Sequence, residues 1–249
     1  MNVVARTTLA ALAELGVSAL PAYARALACA CKAAPPPYGK KRYARLYGES
    51  ARNPDWVALT LGRAAEGEGD AAKRLWNLAA CTPDTNLSRQ IQLHAIDEAR
   101  HSRAYVTLLD LVFTGALDEG LRSAFRALTP GYTKSTPLVA TPGSPYAHAI
   151  TIDELVQMNI AEIRTRVNHC LQWPVLLAFC GSAERARIER ILASLLIDET
   201  RHIAYTAVLI EEAAQACGND EIVHLMCERM RDFNEITEAE IAGRVISAA

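Results

Sequence analysis

Asp97-Glu98-Ala99-Arg100-His101 recurs as Asp198-Glu199-Thr200-Arg201-His202, the same four residues in the same four positions about a hundred residues later. On a helix, side chains three positions apart lie on one face. Glu98 and His101 can therefore grip one metal ion, and Glu199 and His202 a second. A single Glu-x-x-His arises often by chance. The pentapeptide repeated, with Asp, Glu, Arg and His all retained, is far more specific, and the fold is read outward from it.

The surrounding composition is that of a helical protein. The 249 residues are 51% apolar and 22% charged, enough to bury a substantial core in one large domain or two small ones. Only 13 Gly and 11 Pro, set among long Ala- and Leu-rich stretches, favour an all-helical chain. A net charge of −2 gives no electrostatic case for nucleic acid or an anionic membrane as partner. The seven cysteines (Cys29, Cys31, Cys81, Cys170, Cys180, Cys217 and Cys227) are odd in number and contain no Cys-x-x-Cys pair. They read as small buried residues in a reducing cytoplasm rather than as a disulfide framework or zinc ribbon. Arg6 precedes an apolar run and Ala28-Cys29-Ala30 resembles a cleavage site, but Glu14 interrupts that run and suits an amphipathic helix better. No segment reaches the roughly 20 apolar residues a spanning helix needs.

Local signals divide the chain into helices. An N-terminal helical region covers about Val3–Ala33, broken or kinked near Pro21, and Pro35-Pro36-Pro37 ends it. A basic linker with Lys40, Lys41, Arg42 and Arg45 follows. Asn53 caps the next helix, with Pro54 at its first position and Asp55 in its first turn, and it runs to about Ala80. After a turn at Thr82-Pro83-Asp84, a long helix spans about Asn86–Phe113 and stops before Gly115. A shorter helix, Asp118–Leu128, leads into a Pro- and Gly-rich stretch from Thr129 to about Ile150, long enough to suggest a lid or binding loop. Thr151 and Glu154 form a capping box that opens the third long helix, which Pro174 kinks or ends. The fourth runs from about Ser182 to Ala216, and a last helix begins at Asn219. The expectation is a four-helix bundle with accessory helices at both termini.

Periodicity then finds two further carboxylates. Alternating steps of four and three through Glu68 pass Leu61, Ala65, Ala72, Leu75 and Ala79, an apolar row. The same steps through Glu66 pass Leu59, Arg63, Asp70, Lys73 and Asn77, a solvated face. A carboxylate alone on a core stripe is costly unless a cation or partner compensates it, so Glu68 is the ligand candidate. On the third helix the row Leu155, Met158, Glu162, Thr165, His169 makes Glu162 its counterpart. The second helix gives Leu87, Ile91, His94, Glu98, His101, Tyr105 and Leu108, and the fourth Leu192, Leu195, Glu199, His202, Thr206 and Leu209. Any one of these glutamates alone reads best as a helix-face salt bridge. The order Glu, Glu-x-x-His, Glu, Glu-x-x-His across four helices does not.

The run from Asn53 to Ala216 resembles the ferritin-like di-iron carboxylate oxygenases and oxidases. The doubled Asp-Glu-x-Arg-His is most similar to the hydroxylase subunits of bacterial multicomponent monooxygenases and to soluble acyl-carrier-protein desaturases. That resemblance implies one ferritin-like domain over residues 1–249, with a core at about 53–216 and accessory helices at about 3–33 and 219–243. It implies two iron ions held by Glu68, Glu98, His101, Glu162, Glu199 and His202. Asp97 and Asp198 would orient the histidines while Arg100 and Arg201 bridge to the carboxylates. Four carboxylates and two imidazoles suit an iron pair with positions open to O2, and manganese or a mixed Fe/Mn pair fits the same donors. Hydroxylation, desaturation or N-oxygenation of a small organic substrate is the implied activity. No flavin or nicotinamide fingerprint is visible, so a separate reductase, a ferredoxin or a peroxide shunt is the expected electron source, and the family is often dimeric.

Four more residues bear on the chemistry. Thr165 stands where desaturases place a threonine by the oxygen-binding face, and it reads equally as a packing residue bonded to its own helix. His94 lies one turn before Glu98 and is read as a further ligand or as core packing. Arylamine N-oxygenases carry an extra histidine one turn before the last Glu-x-x-His, where this chain has Leu195. Tyr105 has the spacing of the radical tyrosine of ribonucleotide reductase small subunits and reads more simply as a packed aromatic. His169 reads as structural. Gly62, Gly67 and Gly69 fit a helix that opens or is closely approached by a ligand. The competing readings are a ferroxidase or storage protein, a rubrerythrin-like peroxidase (for which rubredoxin-type cysteine pairs are missing) and a purely structural bundle.

Overall fold

Every regular element among the described residues is helical. The computed structural model describes residues 1–115 and 118–247, with the side chains of Leu121, Cys217 and 242–247 outside that description. The helices are α1 (Val3–Glu14), α2 (Pro21–Ala33), α3 (Lys41–Ser50), α4 (Pro54–Cys81), α5 (Thr85–Val112), α6 (Glu119–Leu128), α7 (Ile152–Phe179), α8 (Arg185–Cys217) and α9 (Asn219–Ser247). Among them none is long and apolar enough to cross a membrane. The packing divides the chain into two compact units, each described below by itself.

The first unit comprises Met1–Ser50, Thr151–Gln172 and Leu196–Ala249. Its apolar core gathers Tyr23 and Leu27 of α2, Ile160 and Ile163 of α7, Ile203 and Ile210 of α8, and Met226 and Met230 of α9. Pro21 breaks the N-terminal region as its fixed φ predicts, by opening α2 at the first helical position. Leu20 offers that helix no side-chain cap; instead the buried Glu211 carboxylate accepts from the Tyr23 backbone N–H at 2.8 Å. The Tyr23 hydroxyl donates to Asn159 Oδ1 (3.0 Å), and Asn159 Nδ2 donates to Thr206 Oγ1 (2.9 Å) and to the Ile203 carbonyl (3.2 Å). Thr206 donates in turn to the His202 carbonyl at 2.7 Å. Arg229 clamps α9 to the start of α7 through both oxygens of Asp153 (2.6 and 3.0 Å).

One sequence expectation in this unit is corrected and another holds. The basic stretch around Lys40–Arg45 is not a linker, because α3 forms there. Its Tyr43 and Tyr47, one turn apart, are both buried, and the Tyr43 hydroxyl donates to Asn168 Oδ1 at 3.0 Å. The basic residues occupy the other face and hid the amphipathic pattern. The capping box stands as read: Glu154 accepts from the Thr151 N–H (2.9 Å), and Thr151 Oγ1 accepts from the Glu154 N–H (3.2 Å).

The second unit comprises Ala51–Ile150 and Trp173–Leu195. Asn53 caps α4 as expected, accepting from the N–H groups of Asp55 and Trp56. α4 and α5 form an antiparallel hairpin whose register is fixed by two hydroxyls. Ser88 donates to the Ala79 carbonyl (2.7 Å) and Ser102 to the Ala65 carbonyl (2.6 Å). Fourteen residues forward on α5 thus match fourteen back on α4, which sets Glu68 opposite Ala99 and beside Glu98. Pro174 does not end α7, which continues to Phe179.

The glycines of α4 serve a different purpose from the one expected. A Cβ on Gly62 would stand 2.8 Å from Phe125 Cζ of α6, and one on Gly69 would stand 3.0 Å from the Leu128 carbonyl oxygen. Both make room for α6, while Gly67 faces open space. The long stretch from Thr129 to Ile150 is strapped to α4 and α5. Tyr132 stacks on Trp76 with centroids 4.1 Å apart, Arg74 lies over the Tyr146 ring, and the Ile150 N–H donates to Thr82 Oγ1 (3.2 Å). Asn77, expected on the solvated face with Glu66, is only 4% exposed because this strap covers it, and it accepts from the Thr141 N–H at 2.6 Å. Asn77→Ala leaves that N–H without its acceptor, a loss of about 1 kcal/mol. It is expected to make residues 133–147 cleave faster in limited proteolysis; unchanged cleavage would show that the remaining ties hold the strap alone.

Candidate metal centre

Each unit carries a buried group of two carboxylates and two imidazoles. In the second unit these are Glu68 of α4 with His94, Glu98 and His101 of α5. His94 Nε2 lies 2.8 Å from Glu98 Oε1, and His101 Nδ1 lies 3.3 Å from Glu98 Oε2, so each oxygen of Glu98 faces an imidazole. His94, Glu98 and His101 are all 2% exposed or less. Burial works to raise the Glu98 carboxyl, but hydrogen bonds from Glu68, His101 and His94 and the charge of His101 outweigh it, holding Glu98 well below the usual carboxylate range.

In the first unit the group is Glu162 and His169 of α7 with Glu199 and His202 of α8. His202 Nδ1 lies 3.5 Å from Glu199 Oε2 and 3.8 Å from Glu162 Oε2, and His169 Nδ1 lies 3.9 Å from Glu199 Oε1. Neighbouring ligands of one ion, each bound at about 2.0–2.2 Å, stand roughly 3–3.5 Å apart, so small side-chain shifts bring these atoms onto a cation. Glu199 is fully buried, and His169 and His202 nearly so.

These buried His and Glu residues could hold metal. The two groups contain every ligand expected from the sequence, with His94 among them, and the exposed Glu66 belongs to neither. The donors fit an iron pair: all are oxygen or imidazole nitrogen, no thiolate is present, and four carboxylates balance the charge of two divalent ions.

The other candidates fall around these groups. Arg100 donates to Asp97 (3.0 Å) and to Ser194 Oγ (3.2 Å), and Arg201 pairs with Asp198. Asp198 is buried while Arg201 is exposed. Tyr105 is buried one turn beyond His101, and Thr165 is half-buried one turn beyond Glu162. His169 is the residue that sequence reasoning undervalued. It stands on the Glu162 row, two turns on, which from the sequence puts it near the mouth or end of the site and reads as structural. The described cysteines belong to neither group. Six of them are free thiols, Cys170 is exposed against expectation, burial pushes Cys31 up to about 11, and the Cys217 side chain lies outside the described residues.

Comparison with family models, with curated proteins and with solved structures returned no match.

Proposed function

We propose that α4, α5, α7 and α8 are the core helices of a ferritin-like bundle, and that the chain is a non-haem di-iron enzyme that activates O2 to oxidise a small organic substrate. The observation that carries the reading is that each unit buries a Glu-x-x-His pair with a further carboxylate beside it, Glu98 and His101 with Glu68 in one and Glu199 and His202 with Glu162 in the other. When bound, a ferrous pair supplies electrons to dioxygen. The chain's own residues do the rest. Glu68, Glu98, Glu162, Glu199, His101 and His202 would hold the ions, and Glu98 and Glu199 each face the imidazole of their own Glu-x-x-His pair. Asp97–Arg100 and Asp198–Arg201 hold charge beside the ligands. Thr165 brings a hydroxyl and Tyr105 a phenol to the turns next to them. With no nucleotide fingerprint in the sequence, the electrons come from a separate reductase or ferredoxin.

A ferroxidase uses the same donors, and reaction with O2 separates the two. Protein loaded anaerobically with two Fe(II) per chain and then mixed with O2 is expected to give a coloured transient and to take up O2 in proportion to the two ions. Steady oxidation of many irons per chain, with no transient, would contradict the oxygenase reading and favour iron handling.

A further inference from the structure

Two threonines of α8 reach α7 by the same device. Thr206 Oγ1 donates to the His202 carbonyl and Thr200 Oγ1 to the Leu196 carbonyl, both at 2.7 Å and each one turn back on its own helix. A hydroxyl has a single proton, so both oxygens can then only accept. Each accepts from a side chain of α7: Thr206 from Asn159 Nδ2 at 2.9 Å, and Thr200 from Arg166 Nε at 3.0 Å. Asn159 Nδ2 also donates to the Ile203 carbonyl (3.2 Å) and its Oδ1 accepts from the Tyr23 hydroxyl (3.0 Å), so both ends of the amide are held. The candidate ligands lie between these two ties. Glu162 stands between Asn159 and Arg166 along α7, and His202 stands between Thr200 and Thr206 along α8, with His202 Nδ1 3.8 Å from Glu162 Oε2. Positions three and four apart share a helix face, so Asn159, Glu162 and Arg166 all point toward α8.

We propose that Thr206 with Asn159, and Thr200 with Arg166, are positioning pairs that set Glu162 of α7 against His202 and Glu199 of α8 for one metal ion. This rests on the metal reading above. Ligands must be held to within about 0.5 Å, whereas a slip of one helix along the other by a single residue carries its ligands about 1.5 Å. A single tie leaves α8 free to pivot about it. Two ties, one on each side of His202, fix both the slide and the pivot. Both threonines are buried, so water does not stand in for a lost partner. Thr200 also occupies the one variable position of the repeated pentapeptide, where the first copy has Ala99, a residue with no side-chain atom to make such a bond. The plain alternative is that the threonines only pack and stabilise the helix pair, in which case they contribute to stability and not to ligand geometry.

Equilibrium titration of the full-length apo protein with Co(II), followed by bound-metal count and visible d–d absorption, separates the two when set beside thermal unfolding of the metal-free protein. Thr206→Val and Thr200→Val are each expected to weaken Co(II) binding by roughly tenfold to a hundredfold and to shift the absorption of the bound ion. Thr206→Ser and Thr200→Ser keep the oxygen and are expected to restore wild-type affinity and spectrum. Asp153→Ala releases the Arg229 clamp on the same helix, and it is expected to lower the melting temperature without changing either. Val variants that melt lower but bind Co(II) with wild-type affinity and spectrum would overturn the positioning role, as would an equal loss of affinity in Asp153→Ala. Wild type that binds no Co(II) would contradict the metal reading itself, and the positioning role with it.

Discussion

Glu68→Ala and Glu162→Ala are each expected to weaken iron binding by more than about a hundredfold, since loss of even an outer partner of a metal ligand can cost that much. Glu66→Ala is expected to leave iron uptake unchanged. Glu66 and Glu68 share one helix, and only packing tells them apart. The hydroxyl-fixed register of the hairpin sets Glu68 beside Glu98, while Glu66 is exposed. Equilibrium dialysis against Fe(II) under anaerobic conditions reads the difference. Equal losses at the two positions would mean that the helix face has been assigned wrongly.

Asn159→Leu is expected to destabilise the metal-free protein by about 3 kcal/mol, because it strips partners from several buried groups at once. The side chain is fully buried, and it accepts from Tyr23 while donating to Thr206 and to the Ile203 carbonyl. Leucine fills a similar volume but leaves the Tyr23 hydroxyl inside an apolar core, where burial already holds that phenol well above its ordinary pKa. For a chain of this size the loss corresponds to a fall in Tm of roughly 6–12 °C. Thermal unfolding followed by circular dichroism measures it. A change below about 1 kcal/mol would show that the three helices joined by Asn159 do not depend on it.

The helical class and the buried cluster of His and Glu were legible because the relevant signals are periodic. Four stripes of apolar residues, each interrupted by one carboxylate, are read by counting along a helix, and in the structure Glu98, His101, Glu199 and His202 are buried as the stripes require. What escaped depends on tertiary contact. Asn77 belongs to a polar row and is buried only because a distant segment lies over it. Gly62 and Gly69 look like helix weaknesses until Phe125 and Leu128 of α6 are seen against them. α3 was hidden by its basic face, although Tyr43 and Tyr47 one turn apart carried the signal. Of the two readings of Pro174, a kink or an end, the end is excluded: a long helix held by its neighbours tolerates one missing N–H, and α7 runs through it. His169 was passed over for the same reason, since its worth depends on a carboxylate from a different helix.

X-ray absorption at the iron edge, on protein loaded anaerobically with Fe(II), reads whether two metal ions sit together among these glutamates and histidines. The expected result is a first shell of oxygen and nitrogen at about 2.0–2.2 Å and an iron–iron vector of roughly 3.5–4 Å, with two irons per chain. A single iron per chain, or two irons with no iron–iron vector, would rule the pair out.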